Sequence, residues 1–210
     1  MKQKVCHHAS VAVVFSECRR ELLFDQYTET YRIPDWRGCI NLIGGNQSSE
    51  DSSPKEIWER EIVEEFQKSI AENLITHAKP YKDFLVKTQE LMEFRNDRLQ
   101  VRDPLVVMTT VFETFLDQEI FEFVRHCLQT GKEIKNEGGL VIQRLENLKN
   151  GAIRSASATG LILEDYLRHF QVSLSTPKGV VATCLGTPRN SLEEYFSDFE
   201  YEFRSPDEKI

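Results

Sequence analysis

The sequence predicts an α/β fold built on a mixed β-sheet. Short runs of β-branched and aromatic residues alternate with longer segments of helical period. One such run passes directly into a glycine pair, and a helix start signal follows closely. The 210 residues suit one large domain, read here as 1–170, with an extension over 171–210.

Composition narrows the class. Apolar residues make up 40% and charged residues 29%, a globular balance that argues against wholesale disorder. A chain of this length buries about 70% of its unfolded surface, so its core needs no disulfide or metal. Acidic residues outnumber basic ones by 34 to 26, for a net charge of −8. That disfavours nucleic acid or an anionic membrane as partner, since either needs a basic patch. Cys6, Cys18, Cys39, Cys127 and Cys184 are odd in number, scattered, and without a zinc-ligand spacing. The N-terminus lacks the apolar segment of a secretory signal, and no apolar run is long enough to span a bilayer. A reduced, cytoplasmic protein is the expectation.

The elements follow in order. Residues 9–15 and 21–24 read as two strands joined by a polar turn, and 39–43 as a third. Ser53, Pro54 and Glu56 mark a helix start: a cap, a first-turn proline and the acid of a capping box. Trp58, Ile62, Phe66 and Ile70 recur every fourth residue, so one helix is expected over 53–74. Residues 84–94 are compatible with strand or helix, and 95–98 with a turn. The stretch 105–115 has the density of a central strand. A helix over 118–129 ends at Gly131, a strand follows over 140–145, then a helical turn and a closing helix over 157–170. The acidic, aromatic end of the chain reads as an edge strand plus helix, or as a tail ordered by a partner.

The chemistry concentrates in 44–67. Glu61, Glu64 and Glu65 stand at i, i+3 and i+4, on one helical face, where like charges repel. A hard divalent cation such as Mg²⁺ or Mn²⁺ relieves that repulsion. Gly44 and Gly45 permit close backbone approach, which lets a carbonyl reach the same ion.

With Gly44-Gly45 and the unbroken run Arg60-Glu61-Ile62-Val63-Glu64-Glu65, the segment resembles the Nudix box of the Nudix hydrolases. There are departures. The interval from Gly45 to Arg60 is one residue longer than that pattern allows, so either Glu50 or Asp51 stands for the acid that supports the arginine. Ile43 replaces a usual proline, Gln67 the closing glycine, and Lys68 the aliphatic residue after it. The resemblance implies an α/β/α sandwich whose catalytic helix carries the carboxylates. It also implies metal-dependent cleavage of a phosphoanhydride in a nucleoside diphosphate linked to another moiety. By the family pattern Glu64 and Glu65 bind metal, Glu61 joins them with the Gly44 carbonyl, and Arg60 orients the carboxylates. Glu137 takes the place of a later-loop glutamate that acts as base or ligand, and Tyr31 and Trp36 lie where the family stacks a base. The expected partner is a small-molecule nucleotide derivative, and many relatives form homodimers. The rival reading is a Nudix-type scaffold that binds a nucleotide as sensor or interaction module without turning it over.

Other residues have plainer readings. His7 and His8 are adjacent on a strand and point to opposite faces, so they make a poor metal pair. Trp58 belongs to the apolar stripe, and a lone glutamate cluster is usually a solvated face.

Overall fold

A computed structural model of the chain describes residues 2–31, 33–88, 91–95, 98–102, 105–135 and 138–201. The first part contains β1 (Gln3–Val5), β2 (His7–Ser16), β3 (Glu21–Gln26), β4 (Ile40–Asn41) and β5 (Ile43–Asn46). Two helices follow, α1 (Pro54–Glu65) and α2 (Lys68–His77). Next come β6 (Lys79–Thr88), β7 (Leu91–Arg95), β8 (Arg98–Arg102) and β9 (Leu105–Leu116). The chain continues through α3 (Gln118–Thr130), β10 (Gly139–Arg144) and α4 (Thr159–Tyr166). It closes with β11 (Val180–Gly186), α5 (Glu193–Phe196) and β12 (Phe199–Tyr201).

The main sheet runs β10-β3-β2-β9-β6-β11, with β4 paired to β3 and β5 to β2. β2 and β9 run parallel from His7↔Val107 to Ser16↔Leu116, while β6 is antiparallel to β9. The sheet is therefore mixed, and the stretch expected as a central strand is its interior strand β9. Alternation along β2 divides the core. Ala12 and Val14 pack with Trp58 and Ile62 of α1, Ile70 and Leu74 of α2, and Phe121 and Val124 of α3. Val13 and Phe15 pack on the other face, with Ile162 and Leu163 of α4. The layers are helix, sheet, helix. Each fully buried aliphatic side chain, Ile62 for example, contributes roughly 1.5–3 kcal/mol of apolar transfer.

The expected helix over 53–74 is two helices. Phe66 is extended, with φ −110° and ψ 154°, and Gln67 has φ −57° and ψ 144°. Phe66 instead forms an antiparallel bridge with Lys135. The Gln67 N–H donates to the Ile134 carbonyl at 3.4 Å, and its Nε2 to Glu133 O at 3.2 Å. A segment far along the chain thus takes over the hydrogen bonds that would have continued the helix. Ile70 and Leu74 stay on the buried stripe because α2 resumes against the same face of the sheet.

Smaller differences have similar causes. The strand expected over 39–43 breaks at Leu42, whose N–H donates to Thr159 Oγ1 at 3.2 Å. The capping box is displaced by one residue. Ser53 Oγ accepts from Glu56 N, but Glu56 Oε2 accepts from the N–H and hydroxyl of Ser52. Residues 84–88 fall on strand β6 and 91–94 on β7, and 89–90 lie outside the described residues. Of the turn expected at 95–98, Arg95 and Arg98 pair at the end of β7 and β8, and 96–97 lie outside the described residues. α3 ends at Gly131 with φ +69°, the left-handed cap that glycine favours. Beyond residue 170, β11 pairs with β6 at the sheet edge, and β12 pairs in parallel with β1. No described helix is long and apolar enough to cross a membrane.

Candidate active site

The glycine pair sets the floor of the site. Gly44 lies opposite Val11 in the β5–β2 pairing with φ +139°, and a Cβ there would fall 2.1 Å from Ser10 O. Only glycine fits that approach. Gly45 serves a different purpose. A Cβ on it would lie 2.0 Å from Glu61 Oε2, so its bare Cα makes the space that this carboxylate fills. Ile43, at the position of the usual proline, is a fully buried core residue paired with Ala12.

Arg60 then ties the loop to the helix. Its Nη2 donates to Asp51 Oδ2 at 2.9 Å and to Asn46 O at 2.6 Å, and its Nε donates to both Asp51 oxygens. Its Nη1 donates to Glu61 Oε1 at 2.9 Å and to Glu64 Oε2 at 3.3 Å. Asp51 also accepts from Ser48 N at 2.7 Å. Burial pulls the Asp51 carboxyl upward, but the bonds from Arg60 and Ser48 hold it below the ordinary range. Asp51 is therefore the acid that supports the arginine. Glu50 is exposed, and its own N–H donates to Ser48 Oγ. The longer loop is absorbed by the turn at 48–51.

Glu65 faces another cation. Its Oε2 lies 3.1 Å from Lys135 Nζ, and the same ammonium donates to Asp25 Oδ1 at 2.6 Å. Lys135 is 7% exposed and sits above the Phe66 ring. The Glu65 Oε2 atom is buried, and its contact with Lys135 lacks the alignment of a hydrogen bond. Burial raises Glu65 to about 7, with Asp25 and Glu61 adding repulsion and Lys135 opposing the rise. Burial likewise raises Asp25 to about 6, again against Lys135. Glu61 is also raised by burial, with Arg60 opposing. Burial works against the Lys135 charge, yet Asp25 and Glu65 hold its pKa above the ordinary value.

The structure thus gathers Gly44, Gly45, Asp51, Arg60, Glu61, Glu64 and Glu65 at one end of α1. Glu137 lies outside the described residues. Tyr31 and Trp36 come together in the loop after β3, their ring planes 8° apart with centroids at 6.2 Å. Tyr27, which sequence reasoning missed, stacks on Tyr31 at 4.0 Å. Asp25 and Lys135 were missed too. Each is a lone charged residue at a strand end or in a loop, and no local pattern marks it.

Hard carboxylate oxygens, a buried Glu65 oxygen without a hydrogen bond and the cradle at Gly45 suit one divalent cation in chemistry. The arrangement is not a closed cage. Among the described residues no three His, Cys, Asp or Glu side chains stand grouped to hold an ion. Arg60 engages Glu61 and Glu64, and Lys135 engages Glu65.

No protein-family model matches the chain, and no curated protein does. Among solved structures, it is similar to the MutT protein from Methanosarcina mazei Go1. The identity is 16%, over 81% of this chain and 96% of that one, with a TM-score of 0.46.

Proposed function

We propose that the chain is a hydrolase that cleaves a phosphoanhydride bond in a nucleoside diphosphate linked to another moiety, with Mg²⁺ or Mn²⁺ as cofactor. The observation that carries this reading is the clamp Asp51–Arg60–Glu61 closed over Gly45. It gives four residues of the Nudix-like segment a mutual role: the acid holds the arginine, the arginine aims the glutamate, and the glycine makes room for it. A surface helix with incidental glutamates has no need of that arrangement.

Glu61 and Glu65 are the residues that would hold the ion, with Glu64 beside them. When bound, the ion neutralises the clustered charge of a diphosphate and favours ionisation of water. The chain's own groups do the rest. Arg60 keeps Glu61 from swinging into solvent. Tyr31 and Trp36 offer flat faces of the size a nucleobase stacks on.

One observation favours a second reading, a nucleotide-binding module without turnover: Glu65 is already ion-paired with Lys135. Product release from a panel of nucleoside-diphosphate derivatives, with Mg²⁺, Mn²⁺ or chelator, separates the two. Metal-dependent release supports the hydrolase. A ligand that raises the melting temperature, with silence across the panel, supports the module.

A further inference from the structure

We propose that Lys135 is a built-in cation of the carboxylate site, which competes with a divalent ion for Glu65 and so sets how tightly the site takes metal. The inference rests on the reading of Glu61 and Glu65 as metal ligands and deepens it.

Lys135 reaches the site because its backbone bridges Phe66, the residue immediately after Glu65. Gln67 fastens that bridge through Glu133 and Ile134. The ammonium is therefore held at the end of α1 by main-chain contacts. Its Nζ stands 3.1 Å from Glu65 Oε2 and 2.6 Å from Asp25 Oδ1, with a side-chain exposure of 7%. A buried unit charge at that distance is weakly screened, so it neutralises much of the field that would draw a divalent ion to Glu65. Glu65 is engaged by Lys135, while Arg60 engages Glu61 and Glu64. To give Glu65 Oε2 to a metal, the site has to release Lys135 or share the carboxylate between the two cations.

Lys135 is here a positioning residue, and the probe is Mn²⁺ alone, titrated by calorimetry or by the loss of its free paramagnetic signal. Lys135→Met keeps most of the apolar stem of the side chain and removes its charge. It is expected to bind Mn²⁺ at least about tenfold more tightly than wild type. The gain should vanish in Lys135→Met/Glu65→Gln, and Lys135→Arg should keep the wild-type affinity. Equal or weaker Mn²⁺ binding by a folded Lys135→Met overturns the proposal. If that variant does not fold, Asp25→Asn is compared with Asp25→Asn/Lys135→Met, which balances the buried charges. A tenfold gain in the double variant supports the proposal, and equal affinity overturns it. The readout is independent of turnover. A gain of Mn²⁺ binding in a protein that releases no product leaves this inference standing and removes the hydrolase reading. Turnover with no change in Mn²⁺ affinity does the reverse.

Discussion

Asp51 and Glu50 are adjacent acids, and from spacing alone either was eligible to hold Arg60. The fold separates them. Asp51 accepts bonds from Arg60 and Ser48, while Glu50 is exposed. Asp51→Asn weakens a charge-assisted, largely buried contact and is expected to lower stability by about 1–3 kcal/mol. Glu50→Gln should stay within about 0.5 kcal/mol of wild type. Urea midpoints read both, and equal effects would contradict the assignment. The candidate carboxylates were legible because their spacing is local: Arg60, Glu61, Glu64 and Glu65 follow one another on a single helix. Lys135 and Asp25 were not legible. Their ion pair spans 110 residues of sequence and exists only once β3 and the 131–135 segment meet.

At the scale of elements, the break between α1 and α2 is the main departure from sequence expectation. The apolar stripe Trp58, Ile62, Phe66, Ile70 runs through the break, so periodicity alone cannot show it. Hydrogen bonds from Gln67 to residues 133–134 decide it. Gln67 stands where the Nudix pattern has glycine, yet its φ of −57° asks nothing of glycine. Restoring glycine by Gln67→Gly is therefore expected to destabilise, by about 0.5–1 kcal/mol from backbone entropy. Thermal unfolding checks this, and a stabilised variant would show that the junction needs left-handed backbone. Gly45 behaves oppositely. In Gly45→Ala the new methyl displaces the movable end of Glu61, 2.0 Å away, so the protein should fold but lose product release as Glu61→Gln does. Full activity in Gly45→Ala would mean that the Glu61 position is irrelevant.

Across the whole molecule, the C-terminal segment is joined to the sheet by a buried polar chain. Tyr195 donates to Asp83 Oδ2 at 2.6 Å, and Thr110 donates to Asp83 Oδ1 at 2.6 Å. With the Thr110 hydroxyl proton so used, His8 Nε2, at 2.8 Å, has to donate to Thr110 Oγ1. His8 Nδ1 then accepts from Tyr201, at 3.3 Å. A neutral His8 satisfies this chain and a charged one does not. Burial, with His7 adding repulsion, lowers His8 to about 3. The sign follows: the unfolded chain takes up the proton first, so this group costs stability as pH falls from about 6.5 toward 3. Asp83, which burial raises, works the other way, because acid relieves its buried charge. Arg189, whose N–H donates to Tyr195, lies beside the same network. His8→Gln should therefore show a smaller loss of unfolding free energy than wild type between about pH 6 and 4. Parallel pH profiles would contradict a neutral His8. Sequence reasoning left the last segment undecided between an edge strand and a partner-ordered tail. The contacts that place it reach back to residues 3–8, 83 and 110, which no reading of the tail alone reveals.

The central claim is that carboxylates on α1 carry out phosphoanhydride hydrolysis. The most direct test is the turnover rate of Glu65→Gln against wild type, on whichever nucleoside-diphosphate derivative releases product with Mg²⁺ or Mn²⁺. The account predicts a fall of roughly a hundredfold or more, about 2.7 kcal/mol of barrier, in a variant that melts normally. Wild-type turnover in Glu65→Gln would contradict it and remove the carboxylate site from the chemistry.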